Sequence, residues 1–462
     1  MSEGRAASPL ARRRRRAELQ LVVASGCITG AAYVLAALGK NSAIPPRILP
    51  FLGMVLILLL VAHLAIRLLA RGADATLLPI ATLLNGLGYV MIARLSERLA
   101  GLQTTWTFIG VGVFVATLLV VQRVNDLARH KWAFLAAGLG LLLLPMIPGV
   151  GFSSGGARIW VSVGPVNFQP GEFAKVALAI FVAAYLADRG ELLATSRRRH
   201  GFIELPEARD VLPLVAAWGA SVVIMVGQRD LGSSLLFFTL FVVMTWVATQ
   251  RTAFLWTGFA LFAIAGVVAH QMFDHVRTRV HIWIDPWSRY EGKGFQIAQS
   301  MFALGSGGTT GTGLGLGDPT RIPEAKNDFI FAAIGEELGL LGATAILVAF
   351  VLLIGGGLRA ALRTNRDFEK LLATGLATII GVQAFIIIGG VLRVVPLTGI
   401  TLPFVSYGGS SLVANWILLA LLVRVSDSSA RRLGEVPDST TPSERLAAWR
   451  LRRSEHRTGA NR

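Results

Sequence analysis

What most limits the fold of this chain is the recurrence of apolar runs about 20 residues long, the length a helix needs to cross the hydrocarbon core of a bilayer. They fall near 18–38, 49–69, 76–94, 105–122, 132–147, 172–188, 211–228, 231–249, 254–273, 338–359, 369–392 and 404–424. Lipid offers no hydrogen bonds, so a run that crosses it has to satisfy its own backbone, and an isolated run does so as a helix. The chain is 53% hydrophobic and 15% charged, where a soluble domain carries about 25% charged residues. The expected architecture is therefore all-α and integral to the membrane, with about twelve transmembrane helices and a long extracellular loop. The single cysteine, Cys27, leaves no partner for an internal disulfide. Lying inside the first apolar run, it is expected to be a buried small residue.

Lys and Arg number 44 against 27 Asp and Glu, a net charge of +17. The excess sits at the ends and in alternate loops: Arg67 and Arg71; Arg123, Arg129 and Lys131; Arg189 and residues 197–199; Arg251; Arg359, Arg363, Arg366 and Lys370; Arg431 and Arg432. That is the positive-inside pattern. It predicts two cytoplasmic termini, with basic tails at 1–17 and 426–462. It is a topology signal, and no soluble basic domain is present that would bind nucleic acid.

Two loops on the opposite side are too long for simple connectors, 148–171 and 274–327. Ile282, Trp283, Ile284, Trp287 and Phe295 suit the second to the membrane surface. Its glycine-rich stretch, 305–317, lacks the Gly-Lys-Ser/Thr ending of a phosphate loop, so no nucleotide is expected there. Close backbone approach to a ligand or another loop is the plainer reading.

Charged groups in or beside spans are costly and mark candidate sites. Glu172 and Lys175 lie three apart on one helical face and can pair. The pair is either a neutralised structural unit or the lining of an outward polar cavity. Asp230 can cap a helix, and Arg229 beside it can bind a phosphate. Arg277, Arg279, Arg321 and Lys326 add positive charge to the same outer region. Asp328 stands where the long loop meets an apolar run, as a cap or as a chemical group facing outward. The run 329–358 is too long for one perpendicular span. Its first third, with Glu336 and Glu337, is expected at the interface or in a cavity, structural or lining a groove. Ser406, in a small-residue segment after Pro403, lacks a Gly-x-Ser-x-Gly frame and a nearby His, which excludes a hydrolase triad.

Taken together, these motifs resemble the SEDS family (shape, elongation, division and sporulation), which includes RodA and FtsW. The matching pieces are Gly156-Ala157-Arg158-Ile159-Trp160, Gln169-Pro170-Gly171-Glu172-Phe173-Ala174-Lys175, 228–232, Gly294-Phe295-Gln296-Ile297-Ala298-Gln299-Ser300, 323–339 and 396–411. They cover roughly 76–425 in family order, with features nearer RodA than FtsW. Gly171 replaces the usual Ser or Ala and Arg229 the usual Pro, and 285–291 lacks a second Asp-Pro.

The resemblance implies a ten-helix core at 76–425, preceded by two extra helices at 18–75. It implies a multi-pass protein of the cytoplasmic membrane whose active site faces outward. The activity implied is that of a peptidoglycan glycosyltransferase polymerising lipid II, in elongation or division. Alternatives are a lipid II flippase and a non-catalytic scaffold for a transpeptidase. The family's essential acid falls on Asp328, and its paired Glu and Lys on Glu172 and Lys175. Arg158, Arg229, Lys326 and Ser406 are expected to bind substrate with that pair. A divalent cation, Mg or Mn, is a candidate cofactor at Asp328. The expected partner is a class B penicillin-binding protein.

Overall fold

The computed structural model describes residues 9–42, 48–154, 156–164, 166–195, 198–200, 203–205 and 208–435. The parts of the expected tails at 1–8 and 436–462 lie outside the described residues. The helices are α1 (Pro9–Asn41), α2 (Ile48–Leu69), α3 (Leu77–Leu95), α4 (Glu97–Val120), α5 (Asn125–Arg129), α6 (Lys131–Leu143), α7 (Gly171–Thr195), α8 (Ala208–Gly227), α9 (Leu231–Thr249), α10 (Ala253–Met272), α11 (Asp274–Ile284), α12 (Phe295–Gly307), α13 (Ile330–Leu362), α14 (Asp367–Val391) and α15 (Gly409–Arg432). Among the described residues, α1–α4, α9, α10 and α13–α15 are long and apolar enough to cross a membrane, and α6 and α8 are shorter apolar helices.

α7 occupies the remaining expected span but carries five charged residues, Glu172, Lys175, Asp188, Arg189 and Glu191. Its middle, from Leu178 to Leu186, is almost wholly buried in protein. A central helix does not face lipid, so its composition can break the apolar rule. α14 and α15 lie beside it, with 78% and 89% of their spanning windows buried, whereas α10 at the rim is only 6% buried. Phe114 of α4 and Phe404 meet Trp416 of α15 edge-on at 5.6 and 5.8 Å. Gly110 leaves room for that indole, since a Cβ there would stand 2.3 Å from it.

The structure adds elements that the sequence reading did not place in two loops, and departs from that reading at Cys27 and at the basic run 12–16. Loop 148–171 folds into an antiparallel sheet of β1 (Gly151–Ser154), β2 (Ala157–Val163) and β3 (Val166–Phe168), paired in that order. Loop 274–327 contains two helices, α11 and α12. Cys27 is exposed, because it lies on a side of α1 turned away from the rest of the bundle. The basic run 12–16 forms the first turns of α1 and not a separate tail. Arginine favours helix, and Arg14 finds partners, donating to Gly72 O at 2.9 Å and pairing with Glu435. Nearby, Glu18 is fully buried against His63 and Arg67 of α2. A short hairpin, β4 (Arg198–His200) with β5 (Ile203–Leu205), follows α7.

α13 is not one straight helix. Gly339 breaks it with φ 66° and ψ −165°, a conformation open to glycine because it has no Cβ. The glycine-rich loop fills the break. Leu340 N donates to Gly308 O (2.9 Å), Leu341 N to Thr309 O (3.1 Å), Thr312 N to Glu336 O (2.9 Å) and Gly313 N to Glu337 O (3.0 Å). A Cβ at Gly339 would stand 2.2 Å from Gly311 N. The glycines of 305–317 therefore serve backbone-to-backbone approach, and the segment before Gly339 is separated from the long apolar span after it.

Candidate active site

Asp328 lies two residues ahead of α13, beside loop 393–408. α13 has no side-chain cap, so the capping role weighed for Asp328 is not the one it takes. Its carboxylate lies instead beside Gly399 of loop 393–408, the hub loop of this face. A Cβ added to Gly399, itself at φ +80°, would lie 3.7 Å from Asp328 Oδ2 and 3.8 Å from Arg279 Nη2. The acid and the guanidinium thus share one stretch of bare backbone. Burial, and the nearby Glu324 carboxylate, raise the Asp328 pKa to about 7, while Arg279 opposes the rise.

Loop 393–408 organises the face. Arg279 Nη1 donates to Leu397 O (3.1 Å) and Thr398 O (2.7 Å), fixing α11 to the loop. Ser406 Oγ donates to Asn327 O at 2.7 Å and accepts from Leu402 N at 2.9 Å, and Tyr407 N donates to Lys326 O at 2.9 Å. These bonds grip the two residues immediately before Asp328. Ser406, expected to bind substrate, is 4% exposed with its hydroxyl engaged twice, and what it does here is hold the acid's loop. Ser406→Ala leaves Leu402 N unpaired in a buried place. The expected loss is about 1–3 kcal/mol of stability, measurable as a lower thermal unfolding midpoint in detergent.

Glu172 and Lys175 pair within α7, both buried, at 7% and 2% exposure. Lys175 Nζ also donates to Gln383 Oε1 of α14 (2.9 Å), and Gln383 Nε2 donates to Thr401 O (3.0 Å). The pair therefore ties two central helices to the same hub loop. Asp230 caps α9, accepting from Ser233 N (3.0 Å) and Ser233 Oγ (2.6 Å). Arg229, exposed and at φ 60°, stands free of the bundle. Burial, and then the Arg279 and Arg229 guanidiniums, hold His275 on α11 below the ordinary histidine value. Arg158 is half-buried; its N–H donates to Gln228 O at 3.0 Å, and its guanidinium to Ile147 O (3.3 Å) and Gly151 O (3.4 Å).

Lys326, Ser406 and Asp328 are thus brought together at loop 393–408, and Glu172 and Lys175 reach the same loop through Gln383. Arg158 is bonded to Gln228 and Arg229 stands beside it, and neither contacts Asp328. Glu336 and Glu337 do not join the Asp328 group. Glu336 Oε1 accepts from Asp318 N (2.8 Å) and Glu337 Oε2 from Gly315 N (2.9 Å), and Arg94 lies 3.1 Å from Glu337 Oε1. They tether the glycine loop.

Gln383 escaped the sequence reading, and Arg279 appeared there only as one charge among several. A lone amide inside an apolar helix was a usable signal for Gln383. Nothing local to Arg279 distinguishes it from Arg277, whose side chain is exposed. Among the described residues no group of three or more His, Cys, Asp or Glu side chains could hold a metal ion. Asp328 has a cation, Arg279, as its neighbour, so the protein alone supplies no metal cage here.

Comparison with known proteins matches residues 74–431 to the family model described as the FtsW, RodA and SpoVE cell cycle proteins. The chain is 42% identical over 440 residues to the Mycobacterium tuberculosis protein named peptidoglycan glycosyltransferase RodA, covering 93% of this chain and 94% of that one. It is 33% identical over 376 residues to a Geobacter protein named a probable peptidoglycan glycosyltransferase FtsW, covering 77% and 97%. A solved chain, from work on polymerization and crosslinking by a peptidoglycan synthase complex, superposes with a TM-score of 0.64 at 28% identity, covering 77% and 98%. The chain belongs to the FtsW, RodA and SpoVE family and lies closer to RodA than to FtsW.

Proposed function

We propose that this chain is a peptidoglycan glycosyltransferase that polymerises lipid II, a disaccharide-peptide on undecaprenyl pyrophosphate, into glycan strands. The observation that carries the reading is Asp328, a sheltered carboxylate with a pKa of about 7 beside Arg279 and the bare backbone of Gly399. A general base works best with a pKa near the working pH. Asp328 takes the proton from the acceptor sugar 4-hydroxyl. That oxygen attacks the donor anomeric carbon, the bond to pyrophosphate breaks, and undecaprenyl pyrophosphate leaves. The pyrophosphate ester is already activated, so no nucleotide is consumed. Base catalysis contributes about 10²–10⁴-fold; the remainder falls to stabilising the leaving anion. Arg229, Lys326 and Arg158 are the groups for that work. Arg279 is held by two carbonyls and partly offsets the rise that burial and Glu324 impose on the Asp328 pKa.

Were a divalent cation to bind, Asp328 would be the residue to hold it, and it would supply charge neutralisation for the leaving pyrophosphate; no step above is routed through it. The positive-inside pattern supports cytoplasmic termini and an Asp328 face turned outward. A class B penicillin-binding protein is the proposed partner, since a structural neighbour comes from work on a synthase complex coupling polymerization to crosslinking. A flippase would place its working acid near the bilayer midplane; Asp328 lies before the first turn of α13, which favours chemistry at a boundary.

The pH dependence tests the role of Asp328. Its base form exists above the pKa of about 7, so kcat/KM is expected to rise about tenfold per pH unit below that value and to level above it. Arg279→Gln removes the cation that lowers the pKa, so the inflection moves to higher pH. A flat profile, or a shift the other way, counts against Asp328 as the base.

A further inference from the structure

Residues before 74 lie outside the family model, yet the last turn of α1 rests on the loop that braces the active-site helix. Ala36–Lys40 and the glycine loop meet backbone to backbone. A Cβ on Gly39 would lie 2.2 Å from Leu314 O and 3.1 Å from Gly315 Cα. A Cβ on Gly315 would lie 2.2 Å from Ala36 O and 2.8 Å from Lys40 N. Both partners are bare at the point of contact, and no rotamer relieves a clash with a backbone oxygen.

Two further contacts close the unit. Lys40 Nζ donates to Arg94 O at 3.1 Å. The same Arg94 donates to Gly317 O at 2.8 Å and pairs with Glu337 at 3.1 Å. The loop in turn bonds Glu336 and Glu337 at 2.8 and 2.9 Å, in the half of α13 that begins two residues after Asp328. Contact therefore runs from α1 through the loop to the helix that begins two residues after the acid. The tuberculosis relative is matched over 93% of this chain, so that match takes in part of the first 73 residues as well.

We infer that α1 is a positioning element of the active site: its outer end, through Gly39 and Lys40, holds the glycine loop 308–318 and with it the start of α13. This rests on the proposed glycosyltransferase activity for its kinetic consequence, but the contact can be tested without it. Misplacing a catalytic group by about 1 Å can cost on the order of 10²-fold in rate, so the effect belongs in kcat.

The test uses the full-length chain with Cys27→Ser and a spin label on Thr310→Cys, an exposed site in the loop. Gly39→Leu is expected to raise label mobility and to lower kcat about 10- to 100-fold with KM little changed. Lys40→Met, which cannot jam the contact, is expected to move both readouts in the same direction by a smaller amount. Gly53→Leu, on α2 where an added Cβ meets nothing within 4 Å, is expected to change neither. Unchanged label mobility in Gly39→Leu and Lys40→Met overturns the contact. A mobile loop with wild-type kcat overturns the positioning role. A wild type without polymerisation defeats the functional reading, and the label then still decides whether α1 holds the loop.

Discussion

Asp328→Asn is expected to slow glycan polymerisation by about 10²–10⁴-fold while leaving the protein folded. The substitution keeps shape and replaces the carboxylate with an amide that cannot accept the proton. Burial works against the charged form of Asp328 and raises its pKa, so the neutral amide is not penalised by its surroundings and stability is held or increased. The loss should appear in kcat and kcat/KM together, because the interaction exists only as the proton moves. Steady-state polymerisation of labelled lipid II, with a melting curve for each variant, checks both halves. A variant that folds and polymerises at the wild-type rate removes Asp328 from the role of base.

The second large effect is on stability. Lys175→Met leaves the Glu172 carboxylate and Gln383 Oε1 without their cation in a buried place. Breaking one side of a buried pair costs about 3–5 kcal/mol, enough to lower the folded yield sharply. Glu172→Gln with Lys175→Met removes both charges and is expected to recover most of the loss. The double variant also separates the two readings of the pair. A purely structural pair predicts that activity returns with stability. A pair that lines the substrate cavity predicts a stable but slow enzyme.

The spans were legible because hydrocarbon imposes a length and an apolarity that a single sequence records. α7 was legible for the same reason, although it carries charges at both ends. Asp328 was conspicuous as an acid at a boundary, and the glycine stretch as a place of close approach. What approaches those glycines was not legible: Gly311 meets Gly339 across some 28 residues and Gly315 meets Gly39 across far more, and no local pattern encodes such pairings. The roles of Ser406 and Arg279 depend on which carbonyls come within reach, and those belong to loops that the chain brings together only on folding. The sheet in loop 148–171 was hidden for a different reason. Its strands are short, and glycine and polar residues interrupt the alternation that marks a strand. Cys27 was misplaced because an apolar helix at the rim looks, in sequence, like one at the centre.

The most direct measurement is polymerisation of labelled lipid II by the purified chain, reconstituted with a class B transpeptidase whose active-site serine has been blocked, with products resolved by length. This reading predicts long uncrosslinked strands that depend on this chain and disappear with Asp328→Asn. Absence of strands beside a partner that crosslinks normally when unblocked, or strands that persist undiminished with Asp328→Asn, would contradict it.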